Sequence, residues 1–420
     1  MQNNRFSVAV LGAGNIGSAV ITRLQELDGN VLNLELKKVL VRDVSKDRGF
    51  DKGILTTNFN EILNDDSINL VIEVLGGVEP GKEYIKSLLS KGKAVITANK
   101  DIIADCGLEL INLSQDNNTC LYFEAAVAAG IPVLKPLIES LRGEELTKVL
   151  GIINGTSNYI LTSMEEGSTY EDALSTAKSL GYAEPDPIND VEGLDTKYKA
   201  MILSQLCFGV SPKGEDVFTE GISKITKDDF EWALRLDKTI KLVAQIDSIE
   251  NCFNARVHPV LIDKKHPLAS IRGVSNAVVV EGEKINQLVF SGPGAGASPT
   301  ASAIIGDVLS ACHQLNSNQS NWYPVRDYKG NNKSFENVES SMFIRLSVKD
   351  EPGVLAQISG TFGENNVSIK SVIQEGRGVT AELVIVTHGA LEKNLSKSIE
   401  LIRELSVVDD IESIIRVYND

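Results

Sequence analysis

The sequence predicts an α/β protein in three units: a helix-covered parallel sheet, an α+β middle with its own sheet, and a small C-terminal module. Three observations carry this. Short apolar runs alternate with helix-period segments through the first third, the pattern of a parallel sheet wrapped in helices. A glycine-rich turn closes the first apolar run. After residues 316–340, dense in Asn, Ser, Lys and Gly, a strand pattern begins afresh at Met342, as it does where a new module starts. At 420 residues the chain is too long for one ordinary core.

Phe6 to Leu11 is an apolar run stopped by Gly12, and Ile16 to Leu27 has helical spacing. Val39–Val41, Leu70–Val74 and Ala94–Thr97 supply further buried strands, with a helix over Gly81–Ser90. A long loop is expected over Asp28–Lys38 and one more strand over Leu121–Val127. The first unit is predicted over 1–135, completed by a returning segment near 295–315 that includes the Ala-rich helix Pro299–Leu315. The second spans 136–315, with a strand at Thr147–Ile153, a helix at Leu194–Phe208 and strand-like runs at Val257–Ile262, Asn276–Gly282 and Leu288–Phe290. A linker over 316–340 and a last unit over 341–420 follow.

Composition narrows the function classes. With 57 acidic against 41 basic residues the formal charge is −16, which argues against a nucleic-acid surface. Five scattered cysteines form no C-x-x-C pair and predict free thiols in a reducing compartment. The four histidines make no zinc-ligand spacing. No leader-like or membrane-length apolar run opens the chain, so a cytoplasmic protein is expected.

LGAGNIG carries G-x-G-x-x-G at Gly12, Gly14 and Gly17, between an apolar strand and a helix. That context predicts a dinucleotide loop of Gly12, Ala13, Gly14, Asn15, Ile16 and Gly17, with the pyrophosphate at the helix N-terminus. Arg42, after the second strand, favours the extra phosphate of NADP, while Asp43 keeps NAD open. A plain surface arginine is the alternative. Lys100 lies just beyond the fourth strand, at the edge where parallel sheets bind ligands.

The densest chemistry is GYAEPDPINDVEGLDTKYK, where Glu184, Asp186, Asp190, Glu192, Asp195 and Lys199 crowd together. Asp195 and Lys199 share a helix face at i, i+4. A lysine there can exchange a proton with a substrate oxygen, and a surface ion pair is the alternative. Asn154 to Asn158 form a polar turn between apolar runs, and Gly292, Gly294 and Gly296 permit close backbone approach before the Ala-rich helix.

These stretches (LGAGNIG, TANK, EAAVAAGIP, GIINGTSNYIL, the acidic segment and GPGAGASPTAS) resemble homoserine dehydrogenases over roughly residues 6 to 310. The resemblance implies a Rossmann-like nucleotide domain, a catalytic and dimerisation domain, and reversible NAD(P)H-dependent reduction of L-aspartate 4-semialdehyde to L-homoserine. It implies Lys199 as proton donor, Lys100 beside substrate and nicotinamide, Glu184 and Asp195 at the substrate's amino end, and Gly181 on the cofactor side. It also implies a sodium ion on oxygens of Glu124, Val127, Ala129 and Ile131, a site the residue pattern does not reveal.

From Phe343, FIRLSVKDEPGVLAQI and NNVSIKSV resemble an ACT domain, a ferredoxin-like βαββαβ module. That implies an amino-acid effector, most naturally threonine, and a homodimer or homotetramer. Two alternatives stay open: another amino-acid-linked NAD(P) oxidoreductase, and a non-catalytic nucleotide and amino-acid sensor.

Overall fold

The computed structural model describes residues 5–27, 33–249, 252–317, 331–376 and 378–418. Its N-terminal part runs β1 (Phe6–Leu11), α1 (Asn15–Leu27), β2 (Leu34–Leu40), β3 (Leu55–Thr56), α2 (Asn60–Leu63), β4 (Leu70–Glu73), α3 (Gly81–Ser90), β5 (Ala94–Thr97), α4 (Lys100–Asp116) and β6 (Leu121–Tyr122). These strands pair in parallel in the order β3-β2-β1-β4-β5-β6. β1 is buried along its whole length, as a central parallel strand covered on both faces must be.

Two local expectations are corrected. β2 begins at Leu34, inside the stretch expected as loop, because Leu34 is buried and Leu36 packs on the same core as β1. The expected strand after residue 121 stops at Tyr122, and Glu124–Ala126 form a 3-10 turn. Glu124 cannot continue a strand, since its carboxylate accepts the N–H groups of Val133, Leu134 and Lys135 at 2.6, 2.8 and 2.9 Å and folds the chain back.

The middle part comprises β7 (Leu146–Ile152), α5 (Gly155–Glu165), α6 (Tyr170–Ser179), α7 (Ile188–Val191), α8 (Leu194–Phe208), β8 (Phe218–Thr219), α9 (Lys227–Arg235), β9 (Lys238–Ile249), β10 (Cys252–Asp263), β11 (Ser275–Gly282), β12 (Asn286–Pro293) and α10 (Ala297–Ser317). α8 is buried nearly all round from Ala200 to Phe208, so it is a central helix rather than a one-sided one. It packs on α4, where Gln205 Nε2 donates to Ala104 O at 3.2 Å, and one hydrophobic core runs through both helices into β9. α10 returns to the first sheet: its Ala301, Ile304, Val308 and Cys312 share a core with Val8, Val10 and Ile21.

The remaining elements are β13 (Asn331–Asn332), β14 (Glu339–Lys349), α11 (Val354–Glu364), β15 (Ile369–Glu375), β16 (Thr380–Thr387), β17 (Ala390–Leu391), α12 (Glu392–Arg403) and β18 (Val408–Val417). Strand order β18-β14-β16-β15 with two helices gives the ferredoxin-like module. β18 also pairs in parallel with β10, Val260 opposite Arg416 and Leu261 opposite Val417. The last module therefore extends the middle sheet and covers the end of the β10 edge that β8 and β13 do not pair. Most of the expected linker, residues 318–330, lies outside the described residues. No described helix is long and apolar enough to cross a membrane.

Candidate active site

The glycine loop sits where β1 and β4 are neighbours and the chain switches direction across the sheet, the position at which open parallel sheets bind ligands. Gly12 has φ +104°, and a Cβ there would lie 2.8 Å from Val74 O. At Gly17 a Cβ would lie 2.2 Å from Gly12 O, so α1 can pack on the turn only without a side chain. Gly14 faces open space, leaving room for a phosphate above the start of α1. Ala13, Asn15 and Ile16 complete the turn, with Asn15 exposed.

Arg42 is exposed just beyond β2. Asp43 beside it is occupied: its Oδ1 accepts from Ser45 N at 2.8 Å and Ser45 Oγ at 2.6 Å, and these bonds lower its pKa. Gly181 lies in the exposed left-handed turn that ends α6, at φ +75°.

In the TANK segment, Thr97, Asn99 and Lys100 each have a definable environment. Thr97 Oγ1 donates to Glu73 Oε2 at 2.5 Å, and Leu75 N donates to Glu73 Oε1 at 2.8 Å. Burial raises the pKa of Glu73 against those bonds. Asn99 caps α4 through Ile102 N at 3.3 Å and holds Gly77 O at 2.6 Å through Nδ2. Lys100, first residue of α4, reaches across to Asp195 Oδ1 at 3.3 Å.

Asp195 is the hub. Its Oδ2 accepts from Lys199 Nζ at 2.6 Å and from Asn154 Nδ2 at 2.9 Å. Lys199 Nζ also donates to Ile153 O at 2.7 Å, and Asn154 Nδ2 to Asp190 Oδ1 at 2.7 Å. Asn154 is fixed because its Oδ1 caps α5 through Ser157 N at 2.8 Å. Burial alone would raise the pKa of Asp195, but Lys199, Lys100 and Asn154 outweigh it and the value is lowered. Burial likewise opposes the charge of Lys100, and Asp195 and Asp101 overcome it to raise its pKa. Asp190 goes the other way: burial and the like charges of Asp195 and Glu184 raise its pKa despite Asn154 and Lys199. Glu184 itself lies in the exposed segment before α7.

Thus Lys100, Lys199 and Asp195 meet, with Asn154 and Asp190 attached, because α4 and α8 pack with their first turns together. The bridging amide of Asn154 and the buried Glu73 were not assigned from sequence. Each leaves a signal: an Asn before a helix-period run, and a carboxylate ending an apolar strand.

A second polar cluster joins α10 to the Glu124 turn. Glu124 N donates to Asp307 Oδ2 at 2.8 Å, and Lys135 Nζ lies 2.9 Å from Asp307 Oδ1. Burial pushes the Asp307 carboxyl up to about 6, against the pull of Lys135. Val127, Ala129 and Ile131 are buried here, and Ala128 and Ala129 hold φ of 54° and 33°.

Family models match along the chain: the homoserine dehydrogenase NAD binding domain over residues 12–124, homoserine dehydrogenase over 132–309 and the ACT domain over 342–407. The homoserine dehydrogenase of Bacillus subtilis is 39% identical, across 98% of this chain and 98% of that protein. This chain belongs to the homoserine dehydrogenase family. The Mycobacterium tuberculosis homoserine dehydrogenase is 40% identical over 98% of this chain and 97% of its own. Among solved structures, a homoserine dehydrogenase from Thiobacillus denitrificans superposes with a TM-score of 0.93 at 33% identity over 99% of both chains. A hyperthermophilic archaeal homoserine dehydrogenase in complex with NADPH gives 0.65 at 28% identity, covering 74% of this chain and 98% of that one. The family's activity is NAD(P)H-dependent reduction of aspartate semialdehyde to homoserine, and this chain is an NAD(P)-dependent homoserine dehydrogenase with an ACT domain.

Proposed function

We propose that Lys199 donates the proton to the aldehyde oxygen of L-aspartate 4-semialdehyde, with Lys100 beside it. One observation carries this. An ammonium has three N–H donors, and Lys199 spends two, on Asp195 and Ile153 O. The third is left for a substrate oxygen. The nicotinamide, when bound, supplies the hydride. Lys199 stabilises the negative charge that grows on oxygen and then neutralises it. Asp195, with both oxygens engaged, orients the two lysines and adds negative charge toward the substrate's amino end. Glu184, exposed and without an ion pair among the described residues, takes the ammonium directly. In the reverse direction Lys199, left neutral, accepts the hydroxyl proton of L-homoserine. The test is L-homoserine oxidation by Lys199→Ala. Turnover should collapse while cofactor binding, followed by nicotinamide fluorescence, persists. Retained turnover would remove Lys199 from this role.

The cofactor is better matched as NADP than as NAD. Arg42 is exposed and has no ion pair among the described residues, whereas the Asp43 carboxylate is engaged by Ser45. Gly181, in the exposed turn that ends α6, is taken as a cofactor-side residue on the strength of the resemblance alone.

A sodium ion would fit the carbonyl oxygens of Glu124, Val127, Ala129 and Ile131. Among the described residues no backbone N–H outside helices and strands pairs with the carbonyls of Val127, Ala129 or Ile131, and the positive φ of Ala128 and Ala129 marks a backbone held against its preference. The Glu124 side chain is already engaged, so only its main chain is available. NaCl should raise the melting temperature above that in choline chloride at equal ionic strength. Identical curves would remove the ion.

None of the five cysteines forms a disulfide, which suits the cytoplasm. The ACT domain supports threonine as effector and a homodimer or homotetramer as the assembly. Sedimentation and inhibition assays with and without threonine check both.

A further inference from the structure

We propose that Arg416, on the last strand of the ACT domain, is a positioning residue for the substrate site and acts through Glu220. The proposal rests on the assignment of the acidic segment as substrate-binding.

Arg416 is buried, and its guanidinium is engaged on both sides. Nε and Nη2 donate to Glu392 Oε1 and Oε2 at 2.7 and 3.1 Å, anchoring it to α12 of its own module. The remaining Nη1 leaves the module and donates to Glu220 Oε2 at 2.8 Å. The guanidinium carbon lies 4.6 Å from the Phe218 ring centre and 4.9 Å from that of Phe335. Those rings stack on each other at 3.8 Å. A planar arginine held by a bidentate carboxylate and flanked by the ring pair has one orientation, so Glu220 is held at a fixed point.

Glu220 follows β8, and its N–H donates to Val257 O at 2.8 Å. Two residues later Ile222 N donates to Val191 O at 2.8 Å. Between them Gly221 is pressed on the end of α7. A Cβ there would lie 2.3 Å from Val191 O and 2.5 Å from Glu192 Cα. Val191 is the neighbour of Asp190, whose carboxylate shares Asn154 with Asp195. The route from Arg416 to the substrate carboxylates therefore consists of one ion pair, one backbone contact and one shared amide. Nothing in it is long or loosely held, so a shift of β18 must move the α7 turn or break the ion pair.

A second ion-paired arginine joins the same two modules and supplies the control. Arg345, on β14, pairs with Asp229 at 3.1 Å and donates to Thr226 Oγ1 at 3.0 Å. These contacts cap α9 and make no hydrogen bond to the α7 turn. If Arg416 merely helps dock the ACT domain, conservative loss at either arginine should have the same kinetic effect.

The experiment uses the full-length enzyme and steady-state L-homoserine oxidation. Glu220→Gln keeps the side-chain shape and removes its charge, and Glu220 is partly exposed, so folding should survive. KM for L-homoserine should rise on the order of tenfold, with kcat within about twofold and KM for NADP unchanged. Arg416→Lys should rise similarly, while Arg345→Lys should leave KM for L-homoserine near wild type at a comparable loss of melting temperature. An unchanged KM in Glu220→Gln, or equal KM shifts in the two arginine variants, would overturn the proposal. A failure of the substrate-site assignment is distinguishable: Glu184→Gln would then leave KM for L-homoserine unaltered.

Discussion

Two lysines of the middle domain, one half-buried and one buried, make an instructive pair. Lys199 opens onto the cluster at the mouth of α8 and is held by a carboxylate, Asp195, at 2.6 Å. Lys241, on β9, is 1% exposed, and its Nζ donates to a neutral group, Ile271 O, at 2.8 Å. The charges nearest it, Glu165 and Arg272, neutralise each other in an ion pair. Burial consequently pulls the Lys241 pKa down to about 8. A depressed lysine is a usual mark of catalysis, and on that mark alone Lys241 would be chosen. Its surroundings give it a different task. With Asn158, which donates to Gly273 O and Ser275 O at 3.0 and 3.1 Å, it pins the loop between the 3-10 turn at Pro267–Ser270 and β11. Placement beside the ligand edge and a charged partner is the ground on which Lys199 is proposed.

The strongest way to break this contrast is the same substitution at both positions. Lys199→Met should lower kcat by roughly 10²–10⁴-fold, the range for losing a positioned proton donor, whereas Lys241→Met should leave kcat within about twofold. Equal losses would dissolve the distinction.

Removing the shared carboxylate comes next. Asp195→Asn strands Lys199 and Lys100 beside a neutral amide and should cost about 3 kcal/mol of stability at neutral pH by urea unfolding. The lowered pKa of Asp195 means its contribution is complete above the usual carboxylate value of 3.8 and is lost as pH falls through the folded value. The difference between wild type and variant should therefore narrow in acid. A gap that stays constant below pH 4 would contradict the pairing.

Lys241 predicts the opposite window. Its folded value of about 8 lies below the ordinary 10.5, so between the two the unfolded chain holds a proton that the folded one lacks. Stability should rise with pH across that window, by up to roughly 3 kcal/mol, and the rise should be absent in Lys241→Met. An identical slope in both proteins would show that the ammonium is better solvated than its burial implies.

The smallest effect lies outside the pair and asks whether an exposed cation binds its ligand as a buried one does. Arg42→Ala should raise KM for NADPH about tenfold, as for loss of one charge-assisted contact, and KM for NADH much less. Equal shifts would argue against Arg42 at the ribose phosphate.

Much of this molecule was legible as sequence because the determinants are local. Gly12 and Gly17 were identifiable since a steric demand of the turn lies within a few residues of each. Asp195 and Lys199 were identifiable as partners because a helix sets i and i+4 on one face. β1, β5 and α3 were found where apolar periodicity and stop signals agree. The early start of β2 at Leu34 and the early end of β6 at Tyr122 were missed because pairing and a buried carboxylate, not propensity, decide them. The long β9 was missed as well, since its Lys241 and Gln245 interrupt the apolar pattern that would have marked a buried strand.

By itself the sequence determined the dinucleotide turn, the acidic segment with its lysine, and the family to which they belong. Tertiary structure alone decided that Lys100 and Lys199 share Asp195, that Asn154 bridges it to Asp190, and that Arg416 reaches Glu220 from the ACT domain. The reason is physical. Those contacts arise from packing α4 on α8 and β18 on β10, and non-local packing is set by the shapes of whole faces, which no window of residues contains.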